Sequence, residues 1–400
     1  MKITLIGVGS GSARDLTQQA MQRIQEANCL IGAKRLLESL PDTEGKERIA
    51  AARPEEIIRA LKGQTAPAVA VLFSGDSGFY SGCRGLLPLL REHGFTAEVL
   101  PGLSSIQLLA AALGRPWQDW VLVSAHGVDC NPLPAVMQGK PACFLTGGRF
   151  GPTELCALLT EAGLGDLAVT VGEDLGHPMQ RITSMPASRA ANESFSPLSV
   201  LLAEPAPLGP QRVPGWPDSW FVRGQVPMTK QMVRSAVLSM LAPKSDGVIW
   251  DIGAGTGGVS IELAAAARQG TVYAVECNQE ACALIRQNRT KFCAWNLRLA
   301  AGTAPAILRE LPPPDAVFIG GTKGQMEAVV ETVLRKNSKA RICISAIALE
   351  TVGAAMAALR QHGIAPDVMQ LSVSAGHPTG HLHLLMANNP VFLIAGNCDD

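Results

Sequence analysis

Residues Val248–Ala264 read VIWDIGAGTGGVSIELA. An apolar run, an aspartate, four glycines within six residues and then a helical pattern describe a buried strand passing through a tight turn into a helix. The same alternation extends in both directions. Upstream, MTKQMVRSAVLSMLAP sets Met232, Val233, Ala236, Val237, Met240 and Leu241 on one helical face, and Pro243 ends it. Downstream, Gly270 stops the second helix and the strand TVYAVE follows. A helix over 279–288, a strand near 297–300, and the strands DAVFIGG and RICISAI come next. Such alternation predicts an α/β fold with a parallel, doubly wound sheet. The closing HLHLLMANNPVFLIAG predicts two strands paired antiparallel around ANNP.

A chain of 400 residues exceeds one ordinary core, so two domains are expected. Toward the start, ITLIGVG, AVAVLFSG, WVLVSAHG, PACFLTGG and LAVTVGED are strand-like runs, each closed by glycine, serine or aspartate, again an α/β texture. Five prolines between Pro205 and Pro217 then exclude regular structure. We therefore expect a first domain over 1–205, a proline-rich linker over 206–215 and a second domain over 216–400. Both halves have a glycine loop after their first strand, but their later landmarks differ, which favours two different folds over a duplication.

Lys+Arg and Asp+Glu are both 34, which removes the basic excess that nucleic-acid binding draws on. Apolar runs break well short of the ~20 residues of a membrane span. The opening MKITLIGVGSG is too short for the hydrophobic region of a secretory signal and reads as a buried strand. Ten scattered cysteines, with no CxxC pair and no histidine cluster, fit reduced thiols and no metal site. The expectation is a cytoplasmic protein without nucleic-acid or membrane partners, and a homo-oligomer.

Gly253, Gly255 and Gly258 satisfy the dinucleotide pattern GxGxxG, which by itself discriminates little. Asp251 discriminates more, because a carboxylate before the first glycine suits the ammonium of a methionine moiety and repels a pyrophosphate. Glu276 ends the next strand, where it accepts from both hydroxyls of a ribose. Together these residues point to S-adenosylmethionine.

The segments VRGQVPMTKQMVRSAVLSML, DIGAGTGGVSIELA, YAVECNQEACALIRQN, AGTAPAIL, VFIGGTKG and ISAIALET resemble the decarboxylating precorrin methyltransferases of cobalamin biosynthesis, over 222–396. The resemblance implies a Rossmann-like class I methyltransferase fold. It places Thr229 beside the cofactor, wraps it with Gly253, Ala254, Gly255, Thr256 and Gly257, and gives Glu276 the ribose. It also sets Gly302, Thr303 and Ala304 near the adenine, where the family usually has G-D-A. The opening LIGVGSGSARDLT, with SGDSGFYSG, PGLSSIQLLAAALG, VSAHG and VGEDLGHPMQRI, is similar to the tetrapyrrole methylase family over 1–202. That family has two α/β lobes with the cofactor folded in the cleft between them. The implied contacts are the loop Gly7, Gly9 and Gly11, the stretch Gly75, Asp76, Ser77 and Gly78, and Ser104 with Ser105. Ser10 stands where the family more often has proline, and Met179-Gln180-Arg181-Ile182 where it often has D-E-R-I.

The order of the two resemblances implies one S-adenosylmethionine per domain and a polycarboxylated tetrapyrrole substrate, methylated at meso carbons 5 and 15 and decarboxylated at the ring C acetate. By the same resemblance the first domain serves carbon 5, and the second serves decarboxylation and carbon 15. Candidates for the decarboxylation step are Lys323, Glu350, His377 and His381. Metal-free and cobalt-bearing substrates both remain open. An RNA methyltransferase is opposed by the balanced charge and by VFIGG, where amine-methylating relatives usually carry N-P-P-aromatic. A nicotinamide dehydrogenase is opposed by Asp251, and a non-catalytic tetrapyrrole carrier by the two complete loops.

Overall fold

The computed structural model describes residues 1–40, 45–210 and 215–397; residues 211–214 of the expected linker lie outside the described residues. The chain divides into two compact units, one of residues 1–161 and 165–205, the other of 162–164 and 206–400.

The first unit holds two sheets. Strands β1 (Lys2–Gly7), β2 (Cys29–Gly32), β3 (Glu47–Ala50), β4 (Ala68–Phe73) and β5 (Ala97–Leu100) form a parallel sheet in the order β3-β2-β4-β1-β5. The two-residue period of a strand decides which helices each face meets. Ile3 and Leu5 of β1 with Val69 and Val71 of β4 pack on the helices Pro54–Lys62 and Cys83–Glu92. Ile6, Ala70 and Leu72 pack on Gln18–Glu26 and Lys34–Ser39. Strands β6 (Val121–Ser124), β7 (Ala142–Leu145), β8 (Ala168–Glu173), β9 (Arg181–Pro186) and β10 (Ser199–Ala203) form a mixed sheet in the order β6-β7-β10-β8-β9. Only β6 and β7 run parallel there.

The second unit is built on β11 (Val248–Ile252), β12 (Thr271–Glu276), β13 (Leu297–Ala301), β14 (Ala316–Ile319), β15 (Arg341–Ala346), β16 (Asp367–Leu371) and, after a two-stranded ribbon of β17 (Ser374–Thr379) and β18 (Leu382–Ala387), β19 (Val391–Gly396). The sheet order is β13-β12-β11-β14-β15-β19-β16, with β11 to β15 parallel. Both faces are covered. Ile249 and Val272 pack with the helices Gln231–Leu241, Gly258–Ala266 and Gln279–Lys291. Trp250 and Ile252 pack with Met326–Lys336 and Leu349–Gln361.

The expected pairing around ANNP is overturned. β18 pairs with β17, whereas β19 inserts antiparallel between β15 and β16. Leu393 and Ile394 are fully buried there, while every residue of β18 is exposed. A strand with apolar residues on both faces gains more from a place inside the sheet than from a ribbon in water. Among the described residues no helix is long and apolar enough to cross a membrane.

Candidate functional site

In the second unit a cavity of about 560 Å³ opens over the strand ends that carry the glycine loop. Thr229, Gly253, Ala254, Gly255, Glu276, Gly302, Thr303, Ala304 and Lys323 all line it. The glycines are required by space as well as by conformation. Gly253 has φ +75, and a Cβ on it would lie 2.6 Å from the Gly321 carbonyl oxygen. Gly255 has φ +56, and its Cβ would lie 3.0 Å from the Pro227 carbonyl oxygen. Only a residue without a side chain fits both positions, and the cavity is left with a backbone floor.

Glu276 is held from its own side. Its Oε2 accepts from the Gly255 N–H at 2.9 Å, and its Oε1 accepts from the N–H groups of Cys277 and Asn278, each at 2.8 Å. A carboxylate has about four lone-pair sites, so acceptor capacity remains for hydroxyl donors in the cavity. Backbone floor and oriented carboxylate together fit the adenosyl part of S-adenosylmethionine.

The segment 215–230, which brings Val226, Pro227, Met228 and Thr229 to the wall, is anchored by side chains from three helices. Asn288, fully buried, accepts from the Val222 N–H at 2.7 Å and donates to the carbonyls of Val222 and Thr256. Arg234, also fully buried, donates to Glu262, Asp218 and the carbonyls of Trp216 and Thr229. Glu262 in turn accepts from the N–H groups of Gly215 and Trp216. These anchors were not recognised from the sequence, where each looks like an ordinary polar position on a helix.

Asp251 does not line the cavity, contrary to expectation. It shares the face of β11 with Ile249, the face covered by the helix Gly258–Ala266, and is fully buried. Its Oδ2 accepts from the Ser260 hydroxyl, and its Oδ1 has no partner among the described residues. Burial pushes its pKa up to about 7; the Ser260 hydrogen bonds oppose this and the nearby Glu276 charge adds to it. Because the folded value lies above the unfolded one, the folded chain holds the extra proton between about pH 4 and pH 7. Stability is therefore lost as pH rises through that window, on the order of 1 kcal/mol per pH unit. Asp251→Asn should flatten this part of the melting-temperature profile. An unchanged slope in thermal melts from pH 4 to 8 would remove Asp251 as its source.

Thr256 and Gly257 also stand off the wall. Thr256 is buried, and Gly257, at φ +79, caps the helix Gly258–Ala266. Of the four candidates for decarboxylation only Lys323 reaches the cavity, on a residue held at φ +50. Glu350 lies exposed in the first turn of Leu349–Gln361. His377 is on the exposed β17, and His381 is in the turn before β18. A two-stranded ribbon with no core behind it carries its histidines into solvent.

The first unit has its own cleft of about 350 Å³, lined by Gly9, Gly75, Asp76, Ser104 and Ser105. Gly9 and Gly75 exchange backbone hydrogen bonds. Asp76 Oδ1 accepts from the Gly102 N–H and its Oδ2 from the Gly78 N–H, so this acid ties two loops together. Ser104 caps the helix Ser105–Leu113. Gly7, Gly11, Ser77 and Gly78 lie outside the cleft wall. Gly7 is packed against Gly102 and Gly75, and buried Ser77 donates to the Leu100 carbonyl. The sequence did not single out Arg35, His126, Asp174 or His177, all of which line the cleft. Nor did it single out Gly102, whose signal was present in PGLSS.

A family model described as precorrin methyltransferase domain matches residues 219–396, and one described as tetrapyrrole (corrin/porphyrin) methylases matches 2–191. The chain is 35% identical over 344 residues to the precorrin-6Y C(5,15)-methyltransferase (decarboxylating) of Sinorhizobium sp, covering 83% of this chain and 82% of that protein. It is 39% identical over 188 residues to a probable cobalt-precorrin-6B C(15)-methyltransferase (decarboxylating) of Pyrobaculum calidifontis, covering 46% of this chain and 96% of that relative. A solved precorrin-6Y C5,15-methyltransferase from Geobacter metallireducens is 36% identical, with a TM-score of 0.45, covering 46% of this chain and 97% of that one.

Proposed function

The chain belongs to the family of decarboxylating precorrin-6Y C5,15-methyltransferases, and on that premise we propose that its first unit methylates carbon 5 of the precorrin, while its second releases carbon dioxide from the ring C acetate and methylates carbon 15. The observation that carries this division is that each unit has its own cavity floored by glycine backbone, about 350 Å³ in the first and about 560 Å³ in the second. We assign one S-adenosylmethionine to each. When bound it supplies an electrophilic methyl group on a sulfonium. In the second unit Glu276 would hold the ribose hydroxyls, and the backbone at Gly253–Gly255 with the wall at Gly302–Ala304 would hold the rest. In the first unit Gly9, Gly75, Asp76, Ser104 and Ser105 would do so. The glycine turn after β11, the acid at the end of β12 and the parallel order of β11 to β15 support a Rossmann-like class I reading of the second unit.

A meso carbon conjugated to a pyrrolic nitrogen is enamine-like and needs no strong base. The work of the chain is alignment, worth up to ~7–11 kcal/mol in favourable intramolecular models. In decarboxylation the acetate C–C bond breaks, carbon dioxide leaves and the electron pair enters the conjugated ring, which then takes up a proton. Lys323, on the cavity wall, is assigned to pairing with a substrate carboxylate. The metal-free substrate is favoured because the Sinorhizobium relative, which spans most of both units, is named for precorrin-6Y, whereas the cobalt-named Pyrobaculum relative covers 46% of the chain.

We read the protein as cytoplasmic, without nucleic-acid or membrane partners, and homo-oligomeric. Leu382, Leu384, Leu385 and Met386 of the β17–β18 ribbon are 50–76% exposed, and such a ribbon is marginal alone in water. The test of the function is mass spectrometry of the product formed from precorrin-6B and methyl-labelled S-adenosylmethionine. The parent chain should add two labels and lose one carbon dioxide. Glu276→Ala should add one label, at carbon 5, with carbon-15 methylation reduced roughly 100-fold by loss of charge-assisted hydrogen bonds. Two labels at an undiminished rate in that variant would sink the assignment of the second site.

A further inference from the structure

Beside the cleft of the first unit lies a second, shallower groove of about 600 Å³. Two residues, Phe79 and Tyr80, line both. The groove runs along the helix Cys83–Glu92 and is lined by Arg84 and Arg91, with Ser81, Leu87 and Pro88, and no carboxylate is among its lining residues. Arg84 and Arg91 are seven residues apart, close to two full helical turns, so they share one face about 10 Å apart along the axis. Both are exposed, and neither guanidinium has an ion-pair or hydrogen-bond partner among the described residues. Three other arginines of this unit are paired: Arg23 with Glu98, Arg115 with Glu204 and Arg181 with Glu173.

The wall between groove and cleft is unusual. Tyr80 has φ +47, a left-handed conformation that a bulky side chain rarely adopts. It packs edge-to-face on Phe79 with ring centroids 4.8 Å apart, and its hydroxyl donates to the Leu122 carbonyl of β6 at 3.3 Å. The tie reaches from the loop after β4 to the other sheet of the unit. It nevertheless leaves Tyr80 57% exposed, on the wall shared by the two cavities.

We propose that this groove is a carboxylate-recognition subsite for the tetrapyrrole of the first unit. In it Arg84 and Arg91 pair with peripheral acetate or propionate groups, and the Phe79–Tyr80 pair meets the apolar face of the macrocycle at the mouth of the cofactor cleft. The assignment rests on the substrate class given above. A polycarboxylated macrocycle has an apolar face and an anionic rim, and the groove offers the complement of each. Arginine suits the rim because its planar fork takes a carboxylate through two parallel hydrogen bonds. The strained Tyr80 places an aromatic surface where the substrate passes from the groove to the methyl donor.

The test uses the full chain with Arg84→Glu and Arg91→Glu, singly and together, and Lys62→Glu as a control on the exposed end of the helix Pro54–Lys62. Uroporphyrin, a polycarboxylated porphyrin, is the binding probe, and the carbon-5 step is followed with precorrin-6B. Each reversal should raise the uroporphyrin Kd and the precorrin KM for carbon-5 methylation about tenfold. The KM for S-adenosylmethionine, carbon dioxide release and carbon-15 methylation should not change, nor should any constant in Lys62→Glu. Unchanged Kd and KM in both arginine variants, or an equal rise in the control, overturns the subsite while leaving the methyltransferase reading intact. If the parent makes no carbon-5 product yet its uroporphyrin binding falls in the arginine variants, the subsite stands and the carbon-5 assignment fails.

Discussion

Gly102→Ala is expected to reduce carbon-5 methylation at least ~100-fold while carbon dioxide release and carbon-15 methylation continue at the parent rate, giving a singly methylated product. Three glycines meet at the ends of β1, β4 and β5. A Cβ on Gly7 would lie 2.7 Å from the Gly102 nitrogen, 2.8 Å from the Gly75 carbonyl oxygen and 2.9 Å from the Ser77 nitrogen. A Cβ on Gly102 would overlap the carbonyl oxygens of both Gly7 and Gly75. These are backbone atoms of the loops that form the cleft, so relief requires the loops to part. Overpacking of this kind typically costs ~1–3 kcal/mol and shifts backbone. The Gly102 N–H also holds Asp76 in place, so the shift reaches the cleft wall directly. Product masses give the readout; a doubly methylated product at the parent rate would show that the three loops separate without consequence.

Arg234→Met should cost the second unit about 3–5 kcal/mol, the penalty for breaking a buried ion pair by removing one partner. Arg234 and Glu262 have no exposed side-chain surface and meet at 2.7 Å. The guanidinium also satisfies Asp218 and the carbonyls of Trp216 and Thr229, and it stacks over the Phe221 ring at 4.6 Å. Methionine fills much of the volume but leaves the Glu262 carboxylate buried with two backbone donors. For a unit of this size the loss corresponds to a fall in Tm of roughly 6–20 °C. Released from Arg234, Thr229 should also raise the KM for S-adenosylmethionine in carbon-15 methylation. Arg234→Met combined with Glu262→Leu should recover part of the stability, because the stranded charge is then removed as well. Thermal melts in which the double variant is less stable than the single one by the full additive amount would refute the buried-pair account.

Much of the second cavity was legible in the primary structure because its parts are local. A strand, a glycine turn and an acid at the next strand end lie within 29 residues, Val248–Glu276, and each position constrains its neighbours through backbone geometry. Asp251 was misread for a reason of the same kind. The two-residue period puts it on the face of Ile249, but which helix covers that face, and that Ser260 meets it there, is settled only by packing. The three glycines behind the first cleft stand 27 residues or more apart, at 7, 75 and 102; the need for glycine at 7 and at 102 comes from each other and from Gly75, whose own φ of +69 favours glycine. No local pattern encodes it.

The sequence by itself determined the alternation of strand and helix, the two glycine loops, the acid at Glu276 and the family, since all of these follow from short-range periodicity, turn chemistry and spacing. The tertiary structure alone decided what depends on contacts between distant segments. It put β19 inside the sheet and left β18 on an exposed ribbon with His377 and His381 beside it. It buried Asp251, brought Lys323 to the cavity wall and left Glu350 outside it. It also joined Asn288 and Arg234 to a segment that precedes their helices or lies far from them in sequence. Burial of apolar area and satisfaction of buried polar groups are properties of the whole packed unit, so residues whose roles rest on them become visible only once the chain has folded.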